Sequence, residues 1–186
     1  ATPRDVKRVL KLRAKQVVVG APYNTTRLSV WVGEPEPVEG SWTTRISNEM
    51  ADAAQLIAGG RMKPNDEVLK LGNAGKLITA MRFDATGIPE GAIIEEAYIQ
   101  FTAQGKKTNE AVLEIRGERA LASAPFSRTK FDLSGREPTY ANVQWDVARW
   151  ERKDDAGAAQ RTPNLAFILQ EIMDQPGWDN EAVVLR

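Results

Sequence analysis

The chain has 186 residues, of which 42% are hydrophobic, and its 25 basic residues balance its 25 acidic residues. This is the composition of a globular protein with an apolar core. Because cysteine and histidine are both absent, disulfides, thiolate nucleophiles, Cys-based metal sites and the commonest general base are excluded. A formal net charge of zero gives no general attraction for nucleic acid. The composition favours a protein that binds or assembles over an enzyme.

Targeting signals are few. No run of apolar residues approaches the ~18 that a membrane span needs, and no secretory signal is visible. The sequence begins at Ala1 rather than Met, which predicts that a leader has been removed or that the chain is a fragment. Asn24-Thr25-Thr26 is an N-glycosylation sequon, which is used only in a eukaryotic secretory pathway.

The first 15 residues are predicted to form a short basic helix. Thr2 can cap it, and Pro3 suits the first helical position. The basic residues proposed for docking are Arg4, Lys7, Arg8 and Lys11. They predict contact with an acidic partner or an anionic lipid surface, and the alternative is a solvated helix that lies against its own domain.

Two segments rich in β-branched residues follow, at 15–20 and 27–32, and are predicted strands. Within the second, Trp31 lies opposite Leu28, Val30 and Val32 by parity and is a candidate interface residue. Residues 33–42 combine proline, glutamate and glycine and are predicted to form a linker. The predicted organisation is an N-terminal extension (1–32), a linker (33–42) and a β-sandwich domain (43–186).

Beyond the linker, apolar and polar residues alternate with a period of two, which predicts a series of strands. These strands fall within residues 66–72, 76–83, 95–103, 111–119, 141–147 and 181–186. In one of them Ala97, Ile99 and Phe101 alternate with polar residues. Clean alternation indicates one buried and one solvated face, which is typical of antiparallel sheets packed as a sandwich. The predicted fold is mainly β, a jelly-roll-like sandwich.

One amphipathic helix is predicted in this domain, at about residues 163–175. Thr162 is the predicted N-cap, Pro163 occupies the first helical position, and Pro176-Gly177 ends the helix. Its apolar stripe consists of Leu165, Ile168, Leu169 and Ile172. We expect this stripe to cover a sheet edge or the open end of a sandwich, since it presents no nucleophile and no pair of metal ligands.

Four motifs occur in order between residues 81 and 178: MRFDATGIPEGAIIEEAYIQFTA, LEIRGERALASAPFS, ANVQWDVARW and QRTPNLAFILQEIMDQPGW. Together they resemble the DNRLRE-type β-sandwich modules, which are related to carbohydrate-binding modules and occur mainly in secreted and cell-surface bacterial proteins. The resemblance covers about residues 43–186. It implies a jelly-roll-like sandwich with one helix laid across it, and a non-catalytic role in adhesion, polysaccharide binding or assembly.

The sequence departs from the pattern of this family in two places. Where members often carry an acidic run, this chain has NEMADAAQ, in which only Glu49 and Asp52 are charged, so a calcium site is not expected. Members usually continue with a further strand beyond the segment matching NEAVVLR, whereas this sequence ends at Arg186. We expect an open sheet edge there, filled by residues 15–20 or 27–32 or by a strand from a neighbouring subunit.

The tryptophans are candidates for stacking on sugar rings, although burial competes for them. Trp145 alternates with Val143 and Val147 and is predicted to lie in the core, and Trp178 is predicted to pin the end of the helix. Trp42 and Trp150 lie in less regular segments and are the candidate ligand-binding residues. Adjacent carboxylates on a strand point to opposite faces, so Glu95-Glu96 is no acid/base couple.

The sequence therefore predicts a non-catalytic module without a cofactor that binds carbohydrate or matrix and is extracellular or at a cell surface. The alternative is a structural subunit of a larger assembly, which docks through its N-terminal extension and its open sheet edge. Under that alternative, the expected location is an organelle lumen or a membrane-associated complex, reached after a leader has been removed. The expected partners are polysaccharide or other protein subunits, with homo- or hetero-oligomers formed by strand addition.

Overall fold

The structure is a computed structural model that describes residues 9–16, 38–46, 51–64, 69–71, 75–84, 88–89, 91–106 and 110–186. Its strands are β1 (Val9–Gln16), β2 (Val38–Arg45), β3 (Asp52–Leu56), β4 (Met62–Pro64), β5 (Leu77–Asp84), β6 (Ala92–Gln100), β7 (Ala111–Glu118), β8 (Pro138–Val147) and β9 (Ala182–Leu185). Its helices are α1 (Asp132–Gly135) and α2 (Ala166–Met173), and single 3₁₀ turns lie at Ala58–Gly60 and Ala158–Gln160. The prediction of a mainly β protein is confirmed.

The strands form two sheets in which every pair of neighbours is antiparallel. One sheet has three strands in the order β2-β1-β6, and the other has six in the order β4-β3-β5-β9-β7-β8. The short β9 lies in the interior of the larger sheet, between β5 and β7. Both of its edges therefore have a neighbouring strand, and all four of its residues are buried.

A large hydrophobic cluster joins both sheets and α2. Its members include Ile99 from the three-stranded sheet, Phe83 and Val183 from the six-stranded sheet, and Ile168 from the helix, each of which is almost fully buried. Trp145 belongs to the same cluster, stacked on Phe101 at 5.5 Å between ring centroids, so its predicted core position is confirmed.

A second, smaller cluster lies on the opposite face of the six-stranded sheet. Ala80 and Val184 contribute to it from β5 and β9, and the long segment between β7 and β8 supplies Phe126 and Leu133. Because successive residues of a strand point to opposite faces, Val183 packs in the first cluster and Val184 in the second. The sheet is therefore covered on both sides near β9.

A buried ion network holds the segment between β7 and β8 in place. Arg136 donates to Glu118 Oε2 at 2.8 Å and to Asp132 Oδ1 at 3.2 Å, and the Arg136 and Glu118 side chains are at most 10% exposed. Arg136 also donates to the carbonyl oxygens of Ala124 and Pro125. The guanidinium group thus satisfies two carboxylates and two backbone acceptors at one point.

The helix α2 and the residues before it cover the outer edge of β6, as the sequence predicted for this apolar stripe. Thr162 Oγ1 accepts the Ile99 N–H at 3.0 Å, and Asn164 Oδ1 accepts the Ala97 N–H at 3.0 Å. All four stripe residues are buried. Since the Thr162 hydroxyl serves β6, its predicted role as N-cap is wrong, and the helix begins three residues after Pro163, at Ala166.

The predicted basic helix is wrong for residues 9–15, which belong to β1. Leu10, Leu12 and Ala14 alternate with basic residues, a period of two that fits a strand, and pairing with strands on both sides stabilises it. The predicted linker is also wrong in part, because residues 38–42 belong to β2. Residues 1–8 and the predicted strand at 27–32 lie outside the described residues.

Two further expectations are corrected. Residues 69–71 do not form a strand, although Leu69 and Leu71 still pack against the large cluster. The sheet edge beside β9 is not open, because β5 and β7 flank that strand. The described N-terminal strand β1 lies in the other sheet, so it does not pair with β9.

Candidate functional site

A cavity of about 430 Å³ opens between β5 and β7, beyond the point where β9 ends. Its wall is mostly apolar side chains from both sheets. Those that belong to the six-stranded sheet include Leu77, Met81, Leu113, Ile115, Trp145 and Leu185. A cavity of this size with this lining has the properties of a binding site for an apolar group or segment.

The cavity lies beside parts of β5 and β7 that do not pair with β9. The last pair between β5 and β9 joins Met81 to Leu185, so residues 77–80 of β5 extend beyond that pair. On the other side Arg186 exchanges two backbone hydrogen bonds of 2.8 Å with Arg116, so residues 111–115 of β7 extend further. We call the gap between residues 77–79 and 111–115 the β5–β7 slot.

Charged residues surround the mouth of the slot. Arg116 Nε lies 2.6 Å from Glu114 Oε1, and this hydrogen bond raises the pKa of Arg116. Burial lowers the pKa of the half-buried Arg186, and the nearby Glu118 carboxylate partly opposes this shift. The Arg186 guanidinium group donates to the carbonyl oxygen of Leu133. The mouth is therefore polar, whereas the interior is apolar.

The two candidate ligand-binding tryptophans do not lie in the slot. Trp150 is buried, packs 6.5 Å from Phe101 and donates its indole N–H to the Ala159 carbonyl, so its expected exposure is wrong. Trp42 is half-buried against the large cluster. A methyl group on Gly40 would lie 2.5 Å from its ring, so the ring lies over that glycine.

The predicted docking residues fall mostly outside the described residues. This applies to Arg4, Lys7, Arg8 and Trp31, whereas Lys11 lies in β1. Of the two residues weighed for calcium, Glu49 lies outside the described residues and Asp52 is buried in β3. In the part of the chain that the structure describes, no group of three or more acidic residues could hold a metal ion.

Comparison with models of known protein families, with curated proteins and with solved structures found no match. The resemblance to the DNRLRE-type modules therefore stays a prediction. Among the described residues, no helix is both long enough and apolar enough to cross a membrane.

Sequence reasoning placed several slot residues in strands without assigning them a function. Leu77, Leu113 and Ile115 were predicted on the apolar faces of their strands, and Ile115 is buried there while the other two are half-buried. The slot itself depends on how far β9 extends relative to β5 and β7. The sequence contains a local signal for each strand but none for their relative ends.

Proposed function

We propose that this protein is a non-catalytic module of a larger protein assembly and that it contacts another polypeptide through the β5–β7 slot. One observation carries the proposal: a cavity of about 430 Å³ whose interior is apolar and whose mouth is polar. A polypeptide segment can place apolar side chains in the interior and polar groups at the mouth, which an apolar small molecule does not do. Apolar side chains inside the cavity supply favourable burial.

Carbohydrate or matrix binding has weaker support from the geometry. A glycan platform needs aromatic faces beside a groove, and neither Trp42 nor Trp150 lines the slot. Tyr140 and Phe167 are exposed aromatic residues, but they too lie outside the lining of the slot. We therefore favour a role in assembly over glycan binding, and the experiment below also tests oligosaccharides as ligands.

We also propose that the two sheets form a jelly-roll-like sandwich of the DNRLRE type, in a protein that is extracellular or at a cell surface. Antiparallel pairing throughout and a cluster that draws on both sheets and α2 support the sandwich. The location follows from the resemblance alone.

The experiment uses the absence of cysteine, which allows a single labelled position. Glu114→Cys places an environment-sensitive dye at the mouth of the slot, and Gln144→Cys, the cross-strand neighbour, is the matched control. Each labelled protein is titrated with amphipathic helical peptides, extended peptides of alternating apolar and polar residues, oligosaccharides and a long-chain fatty acid. We expect peptides to change the emission at position 114 and not at position 144. A response only to oligosaccharide or only to fatty acid, or the absence of a response to every probe, would overturn the proposal.

A further inference from the structure

The turn between β3 and β4 brings other segments together at one end of the six-stranded sheet. The Leu56 N–H closes this turn by donating to the Arg61 carbonyl at 3.0 Å. The Ile57 N–H donates to the Lys76 carbonyl at 3.1 Å, which places the residue before β5 against the turn. The side chains of these two segments therefore belong to one surface.

Phe131, just before α1, is fixed on the same turn. Its N–H donates to the Gly60 carbonyl at 2.9 Å, and its ring lies over Gly60, where a methyl group would be 2.4 Å from the ring. The backbone of Phe131 has a φ of 67°, in the left-handed region that a bulky residue rarely adopts. Its side chain is nevertheless 51% exposed. A strained aromatic residue that stays half in solvent points to a binding role, since packing alone would bury the ring.

Exposed cations accompany Phe131 and Ile57, which is itself 50% exposed. Four exposed basic residues lie on these segments: Arg61, Lys76, Arg128 and Lys130. None of the four has an ion-pair partner among the residues that the structure describes. The neighbouring carboxylate of Asp132 does not neutralise them, because it is held by Arg136 and by a backbone N–H. We call residues 57–61, 76 and 128–131 the basic tip.

The combination of charge and apolar side chains distinguishes between possible occupants. Cations alone would fit any polyanion, including an acidic peptide. An anionic lipid surface fits the basic tip better, because its head groups attract the cations while its interfacial region accepts exposed apolar side chains. The tight turn at Gly59, which has no side chain, leaves the Ile57 and Phe131 side chains free to approach such a surface.

We infer that the basic tip binds an anionic lipid surface, with Ile57 and Phe131 in the interfacial region and the four cations at the head groups. The protein then lies on the surface and does not span it. None of the residues of the basic tip lines the β5–β7 slot. The inference therefore goes beyond the proposed function, and each can fail without the other.

The first experiment measures flotation of the full chain with vesicles. Vesicles of phosphatidylcholine alone are compared with vesicles of equal parts phosphatidylcholine and phosphatidylglycerol. We expect binding to the anionic vesicles only, and weaker binding as the salt concentration rises. Removal of both cations in Arg128→Gln/Lys130→Gln should weaken binding by roughly 25-fold, since each cation at the surface contributes about fivefold.

The matched control for charge is Arg152→Gln/Lys153→Gln. It removes the same charge from two exposed residues in the segment between β8 and α2, where three acidic residues lie beside them in sequence. We expect binding to change by no more than about twofold, because the local charge there does not attract an anionic surface. Equal losses in the two double variants, or no binding of the unaltered protein to anionic vesicles, would overturn the inference.

The second experiment tests the apolar contact. Phe131→Asn removes the ring, and asparagine tolerates the left-handed backbone, so we expect an unchanged fold and binding weakened by at least about fivefold. The control is Phe167→Asn on α2, at an aromatic side chain that is 81% exposed, which should leave binding unchanged. If Phe131→Asn lowers Tm, Ile57→Asn replaces it. Full binding in the substituted tip would overturn the inference.

A reporter identifies the occupant directly. Thr129→Cys places an environment-sensitive dye between two of the cations, and the labelled protein is titrated with both kinds of vesicle and with soluble polyglutamate. We expect a blue shift of emission with anionic vesicles only, because the dye enters the interfacial region. A response to polyglutamate without a response to vesicles would assign the basic tip to an acidic polypeptide and overturn the inference.

Discussion

At the scale of single residues, Arg136 is expected to have a large effect on stability. It is the shared partner of Glu118 and Asp132, and it lies 4.9 Å above the ring of Phe126 in the second cluster. Removal of Arg136 would leave two carboxylates in a mostly buried site without their counter-ion, which destabilises the folded state. The segment that covers the outer face of the six-stranded sheet depends on this side chain.

We expect Arg136→Met to lower the free energy of unfolding by about 3–5 kcal/mol, because the substitution keeps much of the apolar stem but removes the charge. Urea denaturation measures this change. The matched control is Arg149→Met, whose ion pair with Glu110 spans 3.6 Å between side chains that are more than 60% exposed. That control is expected to cost less than about 1 kcal/mol. Equal costs for the two variants would show that the buried network has no special importance.

At the scale of elements, side chains in and near α2 accept backbone N–H groups on the outer edges of β6 and β8. Glu171 accepts the N–H groups of Tyr140 and Ala141 at the start of β8, at 2.8 and 2.7 Å. Thr162 and Asn164 do the same for β6. Edge strands pair readily with other chains when their backbone groups are free, so these contacts limit unwanted pairing at two edges.

Thr162 tests this arrangement because it is buried and its hydroxyl group is the acceptor for Ile99. We expect Thr162→Val to cost about 1–3 kcal/mol in the free energy of unfolding, since it leaves a buried N–H without a partner. Thr162→Ser keeps the hydroxyl group and is the control. Hydrogen exchange at the Ile99 amide distinguishes the two: it should become faster in the valine variant only. Comparable acceleration in the serine variant would contradict the role of the hydroxyl group.

The strands differ in how well local sequence determines them. In β6 the buried residues Ala97 and Ile99 alternate with exposed or half-buried ones, so the period of two was sufficient to predict it. The strand β3, with the sequence DAAQL, has low β propensity and was not predicted, since pairing with β4 and β5 stabilises it. Most of β1 was predicted as part of a helix because its sequence is compatible with both a helical period and a strand period. Pairing with β2 and β6 stabilises the strand.

At the scale of the whole molecule, β9 connects two clusters that lie on opposite faces of one sheet. Its residues alternate between them, so a loss of packing in one cluster is transmitted through a backbone shared with the other. The sequence EAVVLR predicted this strand, but not its interior position. A run of buried apolar residues specifies that both faces are covered without specifying which strands flank it.

Val184→Ala tests whether the two clusters unfold together. Val184 is fully buried in the second cluster, and its truncation is expected to cost roughly 1.5–3 kcal/mol. If unfolding is one cooperative transition, tryptophan fluorescence, to which Trp145 and Trp150 of the large cluster contribute, and far-UV circular dichroism shift to the same lower urea midpoint. Val112→Ala, at a valine that is 69% exposed, should change stability by no more than about 0.5 kcal/mol. Separate midpoints for the two probes in Val184→Ala would show independent unfolding.

The candidate site was the least predictable part of the chain. The apolar residues of β5 and β7 follow from alternation, and their burial on one face was expected. The slot is bounded by parts of β5 and β7 that do not pair with β9, so it depends on three elements and not on one local pattern. Trp150 was expected to be exposed because it lies in an irregular segment, whereas its side chain is buried against Phe101 and its indole N–H donates to the Ala159 carbonyl.

The interior position of β9 also sets an order of events during synthesis. Its partner residues in β5 precede it by roughly 100 residues, since Asp84 pairs with Ala182. A ribosome therefore releases β3, β4 and β5 long before the strand that joins them to β7 and β8 exists. Until then the inner strand edges and the apolar faces of both groups of strands remain exposed, and such long-range pairing is slow and exposes chains to aggregation. We expect the nascent chain to depend on chaperones until Leu185 has left the exit tunnel.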